Sequence, residues 1–400
     1  MSGNKIGLVF SEDYIKYNFG PSHPLRPLRL QLTYSLMEKL GLLYHERLEI
    51  LKPRLATPEE IQRAHSPDYV SIVKKLSVNP DDPSVQPFIY NLGPGDNPIF
   101  EGMYEASALV CGASLIAADR VWNDENFKIA FNPAGGLHHA QKNKASGFCI
   151  FNDIAVAIHH LKTLKPDIRI AYLDIDCHHG DGVQWLFYHD PNVLTINYHE
   201  AGQYLFPGSG NLTERGEGAG RGFSINFPLL PKTPNKLYLN LFRKTAPRIL
   251  ETYQPDILIT QLGVDTYHTD PLTDLGLSLK IYWDIAQTMK TCAFEYCHNK
   301  WLAVGGGGYL MSVVPRAWSI FLAKMLGAWL ENELPQAWID EVKTEVRDEE
   351  TPYLLWDRDD QVQRTLMRNE NQEYYKKMAE YIQMLIETCN NEFLPALKKK

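Results

Sequence analysis

The chain has 400 residues, of which 44% are hydrophobic and 22% are charged. This composition is typical of a soluble globular protein and excludes a wholly disordered chain or a low-complexity fibre. The 40 basic and 48 acidic residues give a formal net charge of −8, which argues against direct binding of nucleic acid. Six cysteines without a CxxC pair predict reduced thiols in a cytoplasmic protein.

Short apolar runs alternate with helical patterns along the chain. The predicted strands are residues 5–10, 128–132, 168–174, 193–197, 256–262 and 301–304. Several of them are apolar on both faces, as buried parallel strands are. The alternation predicts one α/β domain over residues 1–400, with helices on both sides of a parallel sheet. The most apolar stretch, 301–314, is broken by four glycines, so no membrane span is predicted.

Several helix starts are readable from capping patterns. Pro27 can occupy the first position of a helix. Residues 57–60, Thr-Pro-Glu-Glu, form a capping box with proline at the first helical position. Ser66 can cap the next helix, and Asn152 or Asp153 can cap another. These patterns predict helices between the strands.

Acidic residues concentrate near the C-terminus. Residues 331–360 hold 11 Asp and Glu but only 3 Lys and Arg, and they are predicted to form a solvated acidic surface segment. After this segment, Tyr375, Met378, Ile382 and Leu385 recur at helical spacing. An amphipathic helix packed on the same domain is therefore expected at the end of the chain.

Two glycine-rich segments are candidate loops, at 206–222 and 305–308. Neither fits the Gly-rich patterns of nucleotide-binding loops. The second segment follows a predicted strand and precedes Tyr309. Its glycines, Gly307 among them, would let the backbone approach a substrate closely, and the Tyr309 hydroxyl could donate to an oxyanion. Packing is the alternative interpretation of this tyrosine.

The densest polar cluster is residues 174–181, Asp-Ile-Asp-Cys-His-His-Gly-Asp, directly after a predicted strand. Ligands of α/β sheets bind at the carboxyl ends of strands. Alternation of side chains would place Asp174, Asp176 and His178 on one side. Two carboxylates and an imidazole suit a divalent metal such as zinc. The alternative is that these carboxylates only cap the strand end and the turn.

A further acid, Asp265, follows the predicted strand 256–262. A carboxylate at the end of a buried strand needs a partner for its charge. Asp176, His178 and Asp265 would together supply three protein ligands and leave a position open for water, as catalytic metal sites do.

Three His-His pairs occur, at 138–139, 159–160 and 178–179. The first follows a predicted strand and could supply a general base and an electrostatic partner. The second lies on a predicted amphipathic helix and is interpreted as ordinary helix surface. In the third, His178 can ligate a metal, while His179 is expected to point elsewhere.

These residues resemble the motifs of the histone deacetylase superfamily, in particular those of prokaryotic acetoin-utilisation deacetylases. The motifs are Gly-Gly-Leu-His138-His139-Ala, Ser146-Gly147-Phe148-Cys149, Asp174-Ile-Asp176-Cys-His178-His179-Gly-Asp181-Gly-Val, Phe206-Pro-Gly-Ser-Gly, Leu262-Gly-Val-Asp265, Asp270-Pro-Leu272 and Gly305-Gly-Gly-Gly-Tyr309. They follow the family's order over residues 5–325. The resemblance implies a single-domain arginase–deacetylase fold with an eight-stranded parallel sheet.

The resemblance also implies the ions of the site. A metal ion, usually zinc with iron as the alternative, would be held by Asp176, His178 and Asp265. A structural potassium ion is implied near Asp174, Asp176 and His178, with backbone carbonyl groups and Asn197 nearby. A second potassium site would involve carbonyl groups of Phe187, Asp190, Val193 and Phe223.

For catalysis, the resemblance implies two histidine–aspartate pairs. His138 would pair with Asp174 and act electrostatically. His139 would pair with Asp181 and act as general base and then general acid, while Tyr309 would polarise the acetyl carbonyl. Implied substrate contacts are a tunnel lined by Gly147, Phe148, Phe206 and Leu272, a rim residue Asp96, and Arg29 at the base of an acetate-release pocket.

The expected substrate is acetyl-lysine in a protein or peptide, and an oligomer is compatible with the sequence. An acetylpolyamine is the alternative substrate. Polyamine-specific relatives carry an acid at the gatekeeper position where this chain has Leu272, although Asp96 and Glu200 could supply negative charge. A two-manganese ureohydrolase would need more Asp and His ligands. A silent acetyl-lysine binding module would be expected to have lost a ligand, a histidine or the tyrosine.

Overall fold

The computed structural model describes residues 4–357, 368 and 371–398. The strands are β1 (Lys5–Val9), β2 (Leu48–Leu51), β3 (Phe127–Asn132), β4 (Ile170–Asp174), β5 (Val193–Glu200), β6 (Ser224–Leu229), β7 (Ile257–Gln261) and β8 (Trp301–Val304). They form one eight-stranded sheet in the order β2-β1-β3-β8-β7-β4-β5-β6. Every neighbouring pair of strands is parallel. The predicted parallel α/β architecture is confirmed.

Helices cover both faces of the sheet. They are α1 (Leu28–Lys39), α2 (Pro58–Ile61), α3 (Pro67–Val78), α4 (Met103–Asn123), α5 (Asp153–Leu164), α6 (Asp181–Leu186), α7 (Asn235–Tyr253), α8 (Leu279–Tyr296), α9 (Val314–Leu326), α10 (Gln336–Glu345), α11 (Gln372–Thr388) and α12 (Leu394–Lys398). One core packs α1, α7, α8 and α9 against the sheet, and the other packs α3, α4 and α5. None of the described helices combines the length and the hydropathy that a membrane span requires.

All six predicted strands are present, but β2 and β6 were not predicted. β2 has only four residues at one edge of the sheet, and three of them are partly or fully exposed. β6 begins just after the glycine-rich segment and contains Pro228. Proline is tolerated there because β6 is the other edge strand and bonds a neighbour on one side only.

The predicted helix starts are close to the observed ones. Thr57 and Glu60 form the reciprocal capping box, although the helix it starts has only four residues. The Ser66 hydroxyl accepts a hydrogen bond from the amide of Tyr69 at the start of α3. Asn152, rather than Asp153, caps α5. All six cysteines are free and buried.

Most of the described acidic residues of the acidic segment are exposed, as predicted, but the segment also contributes to the core, which was not predicted. Helix α10 lies within it, and Trp338 of α10 is fully buried. The Trp338 indole N–H donates to the carbonyl of Leu32 in α1, 3.0 Å away. Residues 358–360 of the segment lie outside the described residues. The amphipathic helix expected around Met378 is α11, whose apolar side joins the same core.

The hydrogen-bond register aligns the ends of four neighbouring strands. Asn132 of β3 lies opposite Val304 of β8, and Val304 lies opposite Gln261 of β7. Gln261 in turn lies opposite Asp174 of β4. The loops after these strands therefore leave the sheet from one row, at the carboxyl edge where α/β proteins place their ligands.

Helix α4 approaches the chain at residues 54–56 so closely that only glycine fits at Gly112. A methyl group added there would lie 1.8 Å from the carbonyl oxygen of Arg54. The Gly112→Ala variant is expected to lose about 1–3 kcal/mol of unfolding free energy through overpacking. An ordinary helix position would gain about 0.5–1 kcal/mol from the same change. Urea unfolding of the two proteins measures the difference, and an unchanged or more stable variant would contradict the close packing.

Candidate active site

A compact group of metal-ligand type lies at the carboxyl edge of the sheet. Asp176 and His178 lie on the loop after β4, and Asp265 lies on the loop after β7. Their candidate ligand atoms all lie within 4.8 Å of one another. The His178 Nδ1 atom is 2.9 Å from Asp265 Oδ2 and 3.2 Å from Asp176 Oδ1. The structure thus brings together the three residues that the sequence analysis chose as ligands.

The two carboxylates of this group are buried, so their negative charge must be compensated within the protein. Asp176 and Asp265 are 1% and 0% exposed. Burial, followed by the negative charge of Asp176, raises the pKa of Asp265. Two buried carboxylates in contact require a compensating positive charge. One imidazole and two carboxylates that converge in this way fit a divalent metal ion with a position left for another ligand.

Backbone amides and one side-chain amide hold the two carboxylates. The amide of Gly307 donates to Asp176 Oδ2 and the amide of Cys177 donates to Asp265 Oδ1, at 2.7 and 2.8 Å. Gln261 Nε2 also donates to Asp176 Oδ2, at 2.7 Å. The sequence analysis missed Gln261. The sequence pattern that could have identified Gln261 is a polar residue at the end of an apolar strand.

The paired histidines form two dyads next to this group. His138 Nδ1 lies 2.8 Å from Asp174 Oδ2, and His139 Nδ1 lies 2.7 Å from Asp181 Oδ1. The two Nε2 atoms are 3.0 Å apart. Although burial opposes protonation, the charge of Asp174 raises the pKa of His138 to about 9. Burial and the charge of His138 lower the pKa of His139 to about 4.

The turn that precedes the histidine pair is held by Asp153, which the sequence analysis considered only as a helix cap. Its carboxylate accepts hydrogen bonds from the amides of Gly136 and Leu137, the shorter being 2.8 Å. The Ser114 hydroxyl donates to the same carboxylate at 2.6 Å. A buried acid on α5 therefore fixes the loop from which His138 projects.

The predicted tunnel and rim residues line one pocket above these groups. Its walls are Asp96, His139, Gly147, Phe148, His178, Leu205, Phe206, Leu272 and Tyr309. The rings of Phe148 and Tyr309 meet edge to face at 5.8 Å. The Phe206 ring lies 5.1 Å from the ring of His139. An apolar, aromatic-walled shaft thus leads to the dyads and the candidate metal ligands, as small-molecule sites commonly do.

A second cavity continues below the pocket, and Arg29 lies in its wall beside Gly307 and Tyr309. The buried Arg29 guanidinium donates to the carbonyls of Gly306 and Gly308 at 2.8 and 3.1 Å. The structure therefore places Arg29 at the inner end of the site, where it fixes the glycine-rich loop before Tyr309.

Two carboxylates hold the chain around Tyr309. Asp270 accepts from the amide of Tyr309 at 3.0 Å. Glu349, from the acidic segment, accepts from the amides of Met311 and Ser312 at 2.7 and 2.8 Å. Sequence reasoning missed the role of Glu349, because it depends on a contact almost forty residues away along the chain.

The remaining candidates lie outside the pocket or at its mouth. Glu200, weighed as a source of negative charge, is 2% exposed and accepts from the amide of Asp274. His179 contacts Ser209 and Gln184, so it points elsewhere, as expected. The His159–His160 pair lies on α5 outside the site. Asp96 is exposed at the pocket mouth.

This fold and this site define a deacetylase-type α/β protein. A model of the histone deacetylase domain matches residues 23–325, and the chain belongs to that family.

Its relatives include the acetoin utilization protein AcuC of Bacillus subtilis (strain 168), which is 42% identical over 83% of this chain and 84% of the relative. The protein of the same name from Staphylococcus aureus (strain MRSA252) is 38% identical over 85% of this chain and 87% of the relative. A solved HDAC homolog complexed with SAHA is similar with a TM-score of 0.81, at 30% identity over 91% of this chain and 99% of that one. An HDAC homolog from Aquifex aeolicus also has a TM-score of 0.81, at 29% identity over 94% and 100%.

Replacing Glu349 with alanine removes the acceptor of two backbone amides. The Glu349→Ala variant is expected to lose about 1–3 kcal/mol of stability, and the amides of Met311 and Ser312 are expected to exchange with deuterium faster. Hydrogen-exchange mass spectrometry of peptides covering 305–316 measures the effect. Glu350→Ala is the matched control, because Glu350 is an exposed neighbour. Equal exchange in the two variants would show that Glu349 does not hold this loop.

Proposed function

We propose that this protein is a metal-dependent hydrolase that removes acetyl groups from Nε-acetyl-lysine in proteins, in the cytoplasm. The observation that carries the proposal is the convergence of two His–Asp dyads and an Asp–His–Asp group at the end of one apolar pocket. A narrow aromatic pocket suits the four-carbon stem and the neutral amide of acetyl-lysine. Membership of the histone deacetylase family supports a deacetylase of this kind.

We assign the metal to Asp176, His178 and Asp265, with zinc preferred and iron as the alternative. Three mixed nitrogen and oxygen ligands with one open position are typical of catalytic zinc sites. When bound, the ion polarises the acetyl carbonyl and lowers the pKa of a coordinated water to about 7. A structural potassium ion is proposed beside Asp174, opposite Asn197 in the sheet. Within the described part of the chain, neither amide atom of the buried Asn197 side chain has a hydrogen-bond partner.

In this proposal, His139 moves the protons. Its Nδ1 is engaged by Asp181, which fixes the tautomer and leaves Nε2 to accept a proton from the attacking water. His138, held by Asp174 with Nε2 3.0 Å from that of His139, contributes positive charge next to the reacting atoms. His139 then returns its proton to the leaving lysine amine, and acetate is the second product.

Tyr309 is assigned the stabilisation of the oxyanion. Its ring borders both the pocket and the inner cavity, so its hydroxyl is available to the acetyl oxygen. The Tyr309→Phe variant is expected to lower kcat by about 10²–10³-fold and to leave KM nearly unchanged. Steady-state kinetics measure both constants. Tyr204→Phe is the matched control, because Tyr204 is 55% exposed. Near-normal turnover of Tyr309→Phe would remove Tyr309 from this role.

The substrate class is tested by acetate release from an acetyl-lysine peptide and from acetylspermidine, each with and without a chelator. The peptide is expected to be preferred, because Leu272 lines the pocket and the carboxylate of Glu200 is buried away from it. Chelation is expected to abolish turnover, and added zinc to restore it. Preference for acetylspermidine would overturn the substrate assignment. Turnover that resists removal of the metal, confirmed by metal analysis, would overturn the mechanism.

A further inference from the structure

Residues 141–149 form two consecutive tight turns beside the pocket. Gln141 and Lys144 pair across the first turn, where the Gln141 amide donates to the Lys144 carbonyl at 2.9 Å. Ser146 and Cys149 pair across the second turn with two hydrogen bonds of 3.1 and 2.8 Å. The tip of the second turn, residues 147–148, lines the proposed acetyl-lysine pocket. The first turn is therefore fixed next to the pocket mouth.

The first turn borders an open groove that is separate from the acetyl-lysine pocket. The groove is lined by Gln141, Lys142, Asn143, Lys144, Ser146, Asp181 and Trp185. Only three peptide units separate Lys144 from Gly147 of the pocket, so their Cα atoms lie at most about 11 Å apart. A polypeptide bound at the pocket mouth can therefore reach the groove within a few residues.

The groove carries positive charge that the protein does not neutralise. Lys142 and Lys144 are exposed, and in the described ranges 4–357 and 371–398 neither has a carboxylate within ion-pairing distance. The Asp181 carboxylate in the groove wall is already engaged by His139 and by Gln141 Nε2, at 2.7 Å each. Two unpaired lysines at this place stand out in a chain whose net charge is −8.

An aromatic side chain also lines the groove. Trp185, on α6, is 40% exposed, which is unusual for so large a side chain. Its ring packs against that of Tyr188 at 4.9 Å, so its orientation is supported from one side. An aromatic surface and two lysines in one groove offer contact area as well as charge, a combination typical of peptide-binding surfaces.

We propose that this groove binds an acidic segment of the acetylated protein substrate, with Asp or Glu residues two to four positions from the acetyl-lysine. The inference rests on the proposed deacetylase function and adds a sequence preference to it. An extended chain advances about 3.3–3.6 Å per residue, so two to four residues span about 7–14 Å. That span covers the upper limit of about 11 Å between the Cα atoms of Gly147 and Lys144.

The test compares acetyl-lysine peptides with Asp or Glu at positions two to four on either side with peptides carrying Asn or Gln at the same places. The wild-type protein is expected to prefer an acidic peptide by about fivefold in kcat/KM, the scale of a few exposed ion pairs. The preference is expected to fall as salt is raised. The Lys142→Glu and Lys144→Glu variants are expected to lose or reverse it while hydrolysing the neutral peptide normally.

Lys244→Glu is the matched control, because Lys244 is an exposed lysine on α7, on the other layer of helices. It changes the net charge equally and is expected to leave the preference intact. Normal hydrolysis of all peptides with no acidic preference, or a preference that survives both groove variants, would overturn this inference and leave the proposed function standing. Failure to hydrolyse any acetyl-lysine peptide would overturn the proposed function and this inference with it.

Discussion

The arrangement of the site depends on negative charge buried at one edge of the sheet. Asp174, Asp176 and Asp265 are all nearly inaccessible to solvent, and a carboxylate removed from water must be paired or hydrogen-bonded. Around Asp174 this is done by the Tyr172 hydroxyl, by His138 and by a backbone amide. Asp176 and Asp265 share an imidazole and several amides, and a metal ion would supply the remaining positive charge.

This requirement explains why backbone amides, in addition to side chains, surround the acids. The amide of Gly307 reaches Asp176 because the chain passes directly over both carboxylates. A methyl group at this position would lie 2.2 Å from Asp265 Oδ2, so any other residue would displace a ligand. The chain there is fixed from the opposite side by Arg29, whose guanidinium binds the carbonyls on either side of Gly307. The Asp176 carboxylate and the Arg29 guanidinium thus hold the glycine loop, which has no side chains of its own.

The parts of this structure that sequence could predict are those with a local signal. Strands β4 and β7 are apolar on both faces and are followed by acids, so both the strands and the convergence of Asp176 and Asp265 were predictable. The four-residue edge strand β2 has no such pattern. Gln261, Asp153 and Glu349 act on residues far away along the chain. Their partners are set by strand order and helix packing, which a single sequence does not display.

The candidate catalytic residues also differ from the residues proposed to recognise the substrate in how much change they tolerate. The candidate ligands and dyads project from loops that start in one aligned row of strand ends, and any change there disturbs buried charges that are balanced against one another. The turn at residues 141–144 meets this system through Gln141, whose side chain donates to Asp181, while its two lysine side chains are exposed. Because exposed charges contribute little to folding stability, Lys142 and Lys144 can be replaced without loss of the catalytic geometry. Substrate preference can therefore be set by the lysines of the turn, which lies a few residues along the chain from a pocket that tolerates little change.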